Sequence, residues 1–177
     1  MSKSTKLGYE VKTDFKELDA LWKRLQDLNQ KEIEYGFLED IRYPESSRHQ
    51  NLTVADVAWM NESGHVTNGV VTPPRPFFTQ SIEEAKGYIK SVAPKIFRLS
   101  FIGKVEKEML SIGKDLVQSV KDKIDNNNFP LNTERTLAMK APETRVLHET
   151  DLMYDSITAR IVNRDAYGKR KKEVDIK

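Results

Sequence analysis

The chain contains no cysteine. That absence excludes a disulfide framework, a thiolate nucleophile and any Cys-ligated zinc or iron–sulfur site. No apolar run approaches the ~18 residues of a membrane-spanning helix, and the polar start MSKSTKLGYE lacks the apolar core of a signal peptide. Synthesis and folding in a reducing cytoplasm are therefore expected. Histidine is scarce. His49, His65 and His148 are scattered through predicted loops, with no H-E-x-x-H and no two on one helical face, so they read as solvated side chains rather than metal ligands. The sequence also lacks G-x-x-x-x-G-K-[ST], G-x-G-x-x-G and G-x-S-x-G, and with them the phosphate-cradling loops and the serine elbow. Carboxylates are plentiful, but Glu83/Glu84 and Glu106/Glu108 fall on polar helix faces where neighbouring lysines account for them. With no catalytic constellation, the expectation is a non-enzymatic protein with no cofactor.

What is present is enough apolar content for one core and a dense charged surface: 177 residues, 38% hydrophobic and 32% charged, read as a single domain over 1–177. Residues 8–13 alternate weakly as a short strand. Asp14 with Glu17 forms a helix-capping signature, and Phe15, Leu18, Leu21, Trp22, Leu25 and Leu28 make an apolar stripe that predicts an amphipathic helix over 15–29 covering a core. Ile33, Tyr35 and Phe37 alternate with Glu32, Glu34 and Gly36 as a half-buried strand, the glycine implying a bulge or a close backbone approach. After a polar loop at 41–52, Thr53 caps a helix that Gly64 ends.

Residues 65–78 hold three prolines and read as a long loop, since no regular ladder runs through Pro73 and Pro74. Ser81 with Glu84 signals another helix start, Pro94 a break or kink, and Val105, Met109, Ile112, Leu116, Val120 and Ile124, preceded by Ile102, the most regular helical stripe of the chain. Together these predict a long broken helical hairpin or kinked segment over about 81–126. A short helix at 133–140 and two strands at 156–163 and 170–176 complete an α+β reading: a small mixed or antiparallel sheet of about four strands packed with three to four helices.

The formal charge of +2 conceals an asymmetry. Residues 160–177 carry seven Lys/Arg against three acids, which makes this C-terminal hairpin (156–177) basic at +4 and leaves −2 for the other 159 residues. Lys169, Arg170, Lys171 and Lys172 could engage phosphates, although lysines on a sheet edge are equally a device against aggregation.

One resemblance spans residues 33–162. TVADVAWMNESGH (53–65) followed by PPRPFF (73–78) resembles the bacteriophage tail-completion and neck family that includes lambdoid minor tail protein Z and phage virion morphogenesis proteins, in which a T-V-A-x-I-A-x-x-N-E-x-G helix precedes a loop ending R-P-F. The matching residues are Thr53, Val54, Ala55, Val57, Ala58, Asn61, Glu62 and Gly64, then Pro74, Arg75, Pro76 and Phe77. EYGFLED upstream is similar to the strand before the family's first loop. Downstream, Pro130, Leu131, Thr136 and Lys140 match a third block, and Leu147, Thr150, Met153, Ser156 and Ile157 a fourth, with Asp151 where the family usually has Gly.

The resemblance implies a structural virion protein of the tail or neck, assembled in the host cytoplasm. It implies a homo-oligomeric ring, a hexamer, with neck, connector, tail-tube or terminator proteins as partners, no membrane partner, and genomic DNA passing through the lumen. Asn61, Glu62, Gly64, Arg75, Pro76, Phe77 and Phe78 are the expected subunit-interface residues, with the phenylalanines equally readable as the start of the next helix's core. Lys169 to Lys172 are the expected DNA-facing residues; the alternative is a small nucleic-acid-binding protein that uses them directly.

Overall fold

The computed structural model describes residues 15–47, 49–67, 69–126, 128–140, 145–148, 151–164 and 170–176, the last of these by their backbone. The expected strand at 8–13 and the Asp14 cap lie outside the described residues. In chain order the elements are α1 (Lys16–Asn29), β1 (Lys31–Gly36), α2 (Val54–Ser63), β2 (His65–Thr67), β3 (Val70–Thr72), α3 (Phe77–Phe101), α4 (Val105–Asp125), α5 (Glu134–Lys140), α6 (Leu152–Asp155), β4 (Thr158–Arg164) and β5 (Arg170–Ile176). The class is α+β. The strands divide into an antiparallel sheet of order β1-β4-β5 and a separate β2-β3 hairpin.

β4 is the central strand because it is the most apolar of the three: Ala159, Ile161 and Val162 are buried, and Ile33 and Tyr35 of β1 stand opposite Ile161 and Ala159. Ile161 packs with Val105 and Met109 of α4, while Ile33 and Tyr35 flank Ala85, Ile112 and Leu116 between α3 and α4. Glu34 is in register with Arg160, and Arg164 reaches the same carboxylate at 2.7 Å, so two cations of the basic C-terminal hairpin are held by the sheet itself.

α3 and α4 form an antiparallel hairpin. Ser81 bonds Ser119 at 3.1 Å and Lys95 pairs with Glu108 at 2.6 Å, with Tyr88–Asp115 between them. The reversal is at 102–104, not at Pro94, which lies inside α3 without ending it. Local chemistry at Pro94 loses to the packing of Ala85, Tyr88, Val92 and Ile96 against α4. The helix also begins earlier than Ser81, at Phe77; Ser81 is fully buried.

Two other expectations are corrected. Residues 65–78 are not loop throughout, since a three-pair ladder (His65↔Thr72, Val66↔Val71, Thr67↔Val70) forms ahead of the prolines, where nothing obstructs it. And α1, expected to cover a core along its whole stripe, does so only toward its C-terminal end, where Leu28 packs on Val105, Met109 and Ile161, while Phe15, Leu18 and Trp22 are exposed. Periodicity identifies an apolar face but does not supply a surface to cover it.

Candidate interaction site at the α2 to α3 junction

α2 opens on a complete capping box: the Thr53 hydroxyl accepts from the Asp56 amide at 3.0 Å, and the Asp56 carboxylate accepts from the Thr53 amide at 3.0 Å. The helix ends at Gly64 with φ of 71°, where a Cβ would lie 2.8 Å from both Thr72 O and Pro74 N. Only glycine fits this crossing, which brings the end of β3 back against the end of α2.

The chain then locks onto α2. The Arg75 amide donates to Asn61 O at 2.8 Å and its guanidinium to Asn61 Oδ1 at 3.4 Å, while Asn61 Nδ2 is anchored on Val57 O at 2.9 Å. Glu62 reaches across and accepts from the Phe78 and Thr79 amides at 2.9 Å each, placing a carboxylate on the free N–H groups and positive dipole end of α3. Pro76 occupies the N-cap position, where its side chain offers no acceptor, so Glu62 supplies the cap from another element.

Arg75 is only 5% exposed. Besides Asn61, its guanidinium donates to Pro130 O at 3.3 Å through Nε and Nη2 and to Asn132 Oδ1 at 3.0 Å, so its described acceptors are all uncharged. Burial pulls its pKa below the ordinary guanidinium value. Phe77 is fully buried among Val54, Val57, Ala58, Val120 and Ile124. Phe78 packs on Tyr35 and Phe37 with ring centroids at 5.7 and 6.4 Å, and its ring edge sits 3.1 Å from where a Gly36 Cβ would be. The close approach expected at Gly36 is thus an approach by the Phe78 ring.

The predicted interface residues are therefore brought together. Arg75 and Phe77 are buried and build the junction within the chain, Asn61, Glu62, Gly64, Pro76 and Phe78 are half-buried, and the β2-β3 hairpin beside them exposes Val66 and Val71.

A second polar cluster was not legible as such. His148, read as a solvated loop residue, is buried: Nδ1 lies 2.6 Å from Asp151 Oδ1, and Nε2 faces Asp125 Oδ1 at 3.3 Å, off the line of a hydrogen bond. Asp151 takes the left-handed conformation, φ 55°, which Asp tolerates better than most residues. The Tyr154 hydroxyl donates to Asp125 Oδ2 at 2.8 Å, and burial followed by that bond pushes its pKa up to about 12; Lys121 lies 4.6 Å over its ring. The one available signal was the three-residue spacing of His148 and Asp151, short enough for a local side-chain bond.

Of the predicted DNA-facing residues, Lys169 lies outside the described residues, and Arg170, Lys171 and Lys172 lie on β5, an edge strand of the three-stranded sheet. Among the described residues, no group of three His, Asp or Glu converges to hold a metal ion, and no helix is long and apolar enough to cross a membrane. No protein-family model matches the chain, and no curated protein or solved structure matches it either.

Proposed function

We propose that this chain is a structural virion protein of a tailed bacteriophage, a neck or tail-completion subunit that forms a ring at the head-proximal end of the tail and joins tail to head, without enzymatic activity. The observation that carries the reading is the convergence of the motif blocks. Asn61 and Glu62 of the first bond Arg75 and the Phe78 and Thr79 amides of the second, and Arg75 bonds Pro130 of the third. Met153 and Ile157 of the fourth share one core with Val54, Val57 and Phe77. Residues matched only as strings have no reason to be mutual partners in space, so their interlocking favours a shared architecture over coincidence. The proposed ring is six copies joined head to tail, with neck, connector and tail-tube or terminator proteins as neighbours and the basic β5 edge turned toward DNA in the lumen.

Negative-stain images of a lysate lacking this gene product test the reading. Unjoined heads and tails with lost infectivity are expected; normal joining and infective virions overturn it. The alternative, direct nucleic-acid binding through Lys169, Arg170, Lys171 and Lys172, predicts affinity that falls steeply with salt and is lost when the four are neutralised. In a filter-binding titration, unchanged affinity in the neutralised variant eliminates that alternative.

A further inference from the structure

Two apolar surfaces are left uncovered, and they lie at opposite ends of α3, a helix about 37 Å long at 1.5 Å per residue. At its C-terminal end lies α1. Leu28 packs on the Val105–Met109–Ile161 cluster and Arg24 donates to Phe101 O at 2.6 Å, but toward the N-terminus contact fades, and every residue from 15 to 20 is exposed. Phe15, Leu18 and Trp22, on one helical stripe, are 56%, 58% and 63% exposed, and Phe97 near the end of α3 and Ile102 at the hairpin turn are exposed as well.

At the N-terminal end of α3 stands the β2-β3 hairpin, rooted by the Asn61–Arg75 and Glu62 contacts. Val66 and Val71, directly opposite each other, are exposed on one face of the hairpin, Val70 is exposed on the other, and Trp59 on the adjoining α2 is 70% exposed. Residues 63–74 carry no Lys, Arg, Asp or Glu, so this surface offers nothing to a charged ligand. A two-stranded hairpin is marginal in water and gains from a covering partner.

We infer that the exposed stripe of α1 in one copy docks on the β2-β3 hairpin and Trp59 of a second copy. This rests on the self-assembly part of the proposed function and names its contact surfaces. At roughly 150–250 Å² per fully exposed aromatic side chain and less for Val or Leu, each surface offers on the order of 500 Å² of apolar area. A standard interface covers about 800 Å² per partner, about 65% of it apolar between identical subunits, so each patch is the size of one apolar interface core. The two patches are different surfaces at opposite ends. Pairing them is head-to-tail, every copy in a closed ring has both covered, and a two-fold dimer would cover only one.

The test mixes two full-length variants, an arm variant (Leu18→Glu with Trp22→Glu) and a hairpin variant (Val66→Lys with Val71→Lys), and reads mass by light scattering. Wild type is expected to assemble, each variant alone to run at its monomer mass of 20.4 kDa, and the mixture to form a one-to-one pair of twice that mass, because one intact arm and one intact hairpin remain. Circular dichroism checks folding; should a charged variant fail it, Trp22→Ser and Val71→Ser replace the pair. A mixture that stays monomeric, arm variants that assemble like wild type, or a monomeric wild type each overturn the inference. So does association that appears only after deletion of residues 1–14, since the arm's occupant would then be the chain's own N-terminus. A mixed pair alongside normal head–tail joining in the null lysate would sink the virion role and leave this contact standing; the reverse pattern would sink the contact alone.

Discussion

Arg75 carries a full positive charge in a site whose described acceptors are all neutral. Replacing it with methionine removes the cost of desolvating the charge but takes the donor from Asn132 Oδ1 and Asn61 Oδ1 on half-buried residues and from Pro130 O on an exposed one, at ~1–3 kcal/mol for an acceptor left dry and less where water reaches it. The second effect wins, so Arg75→Met should cost about 2–3 kcal/mol in urea denaturation. Arg75→Lys should recover less than half, because one ammonium cannot point at three separated acceptors as a planar guanidinium does. Tyr88 and Tyr154 supply a pH prediction. Burial, then bonds to Asp115 and Asp125, raise both to about 12. For groups raised in the folded state, the linked stability is intact below the ordinary phenol value of 10.0 and is lost as pH rises toward about 12. Phenolate absorbance should show two tyrosines ionising near the upper value while the protein is folded, with the melting temperature falling through the same window. Titration of both near 10.0 would contradict the two bonds. At this scale the sequence announced the special residues but not their direction. Gly64 was legible as a helix end and Asn61, Glu62 and Arg75 as members of the motif blocks, whereas the inward orientation of Arg75 depends on Pro130 and Asn132, more than fifty residues away.

Among the elements, α4 was the most legible, its predicted apolar positions from Val105 to Ile124 all buried. Its periodicity was sufficient because sheet and α3 cover the whole stripe. At Pro94, expected to break or kink the helix, α3 does not end, because a local rule met a tertiary one. Proline removes one backbone bond and crowds the preceding turn, at about 3 kcal/mol relative to alanine, and the buried face against α4 outweighs that. Pro94 itself is exposed. Pro94→Ala should therefore stabilise the protein by about 2 kcal/mol in chemical denaturation, the helix gain less up to ~1 kcal/mol of freedom returned to the unfolded chain. A loss of stability would mean that the proline is needed to shape the hairpin. The α3 start shows a cap that no local pattern could reveal: Ser81 and Glu84 have the right spacing, but the working acceptor is Glu62, contributed by the preceding helix. The β2-β3 ladder was missed for the opposite reason, because prolines at 73 and 74 drew attention from the six residues before them that pair freely.

Across the whole molecule, the total charge of +2 separates into regions with different fates. Arg160 and Arg164 of the basic hairpin are held by Glu32 and Glu34, so these two cations are committed to the sheet. The uncovered surfaces at the two ends of α3 give the protomer a polarity that composition cannot express. By itself the sequence determined the α+β class, α4 with its buried stripe, the Thr53 cap, the glycine reversal at 64 and the pairing of the C-terminal strands. Each follows from chemistry within a few residues: a period, a cap, a missing Cβ. Only the tertiary structure decided that Pro94 would stay helical, that His148 would be buried between two aspartates, that Arg75 and Phe77 would turn inward, and that the N-terminal half of the α1 stripe would be left bare. Each of these depends on what a distant segment places opposite the residue, and a one-dimensional pattern can state that a face is apolar without stating whether anything meets it.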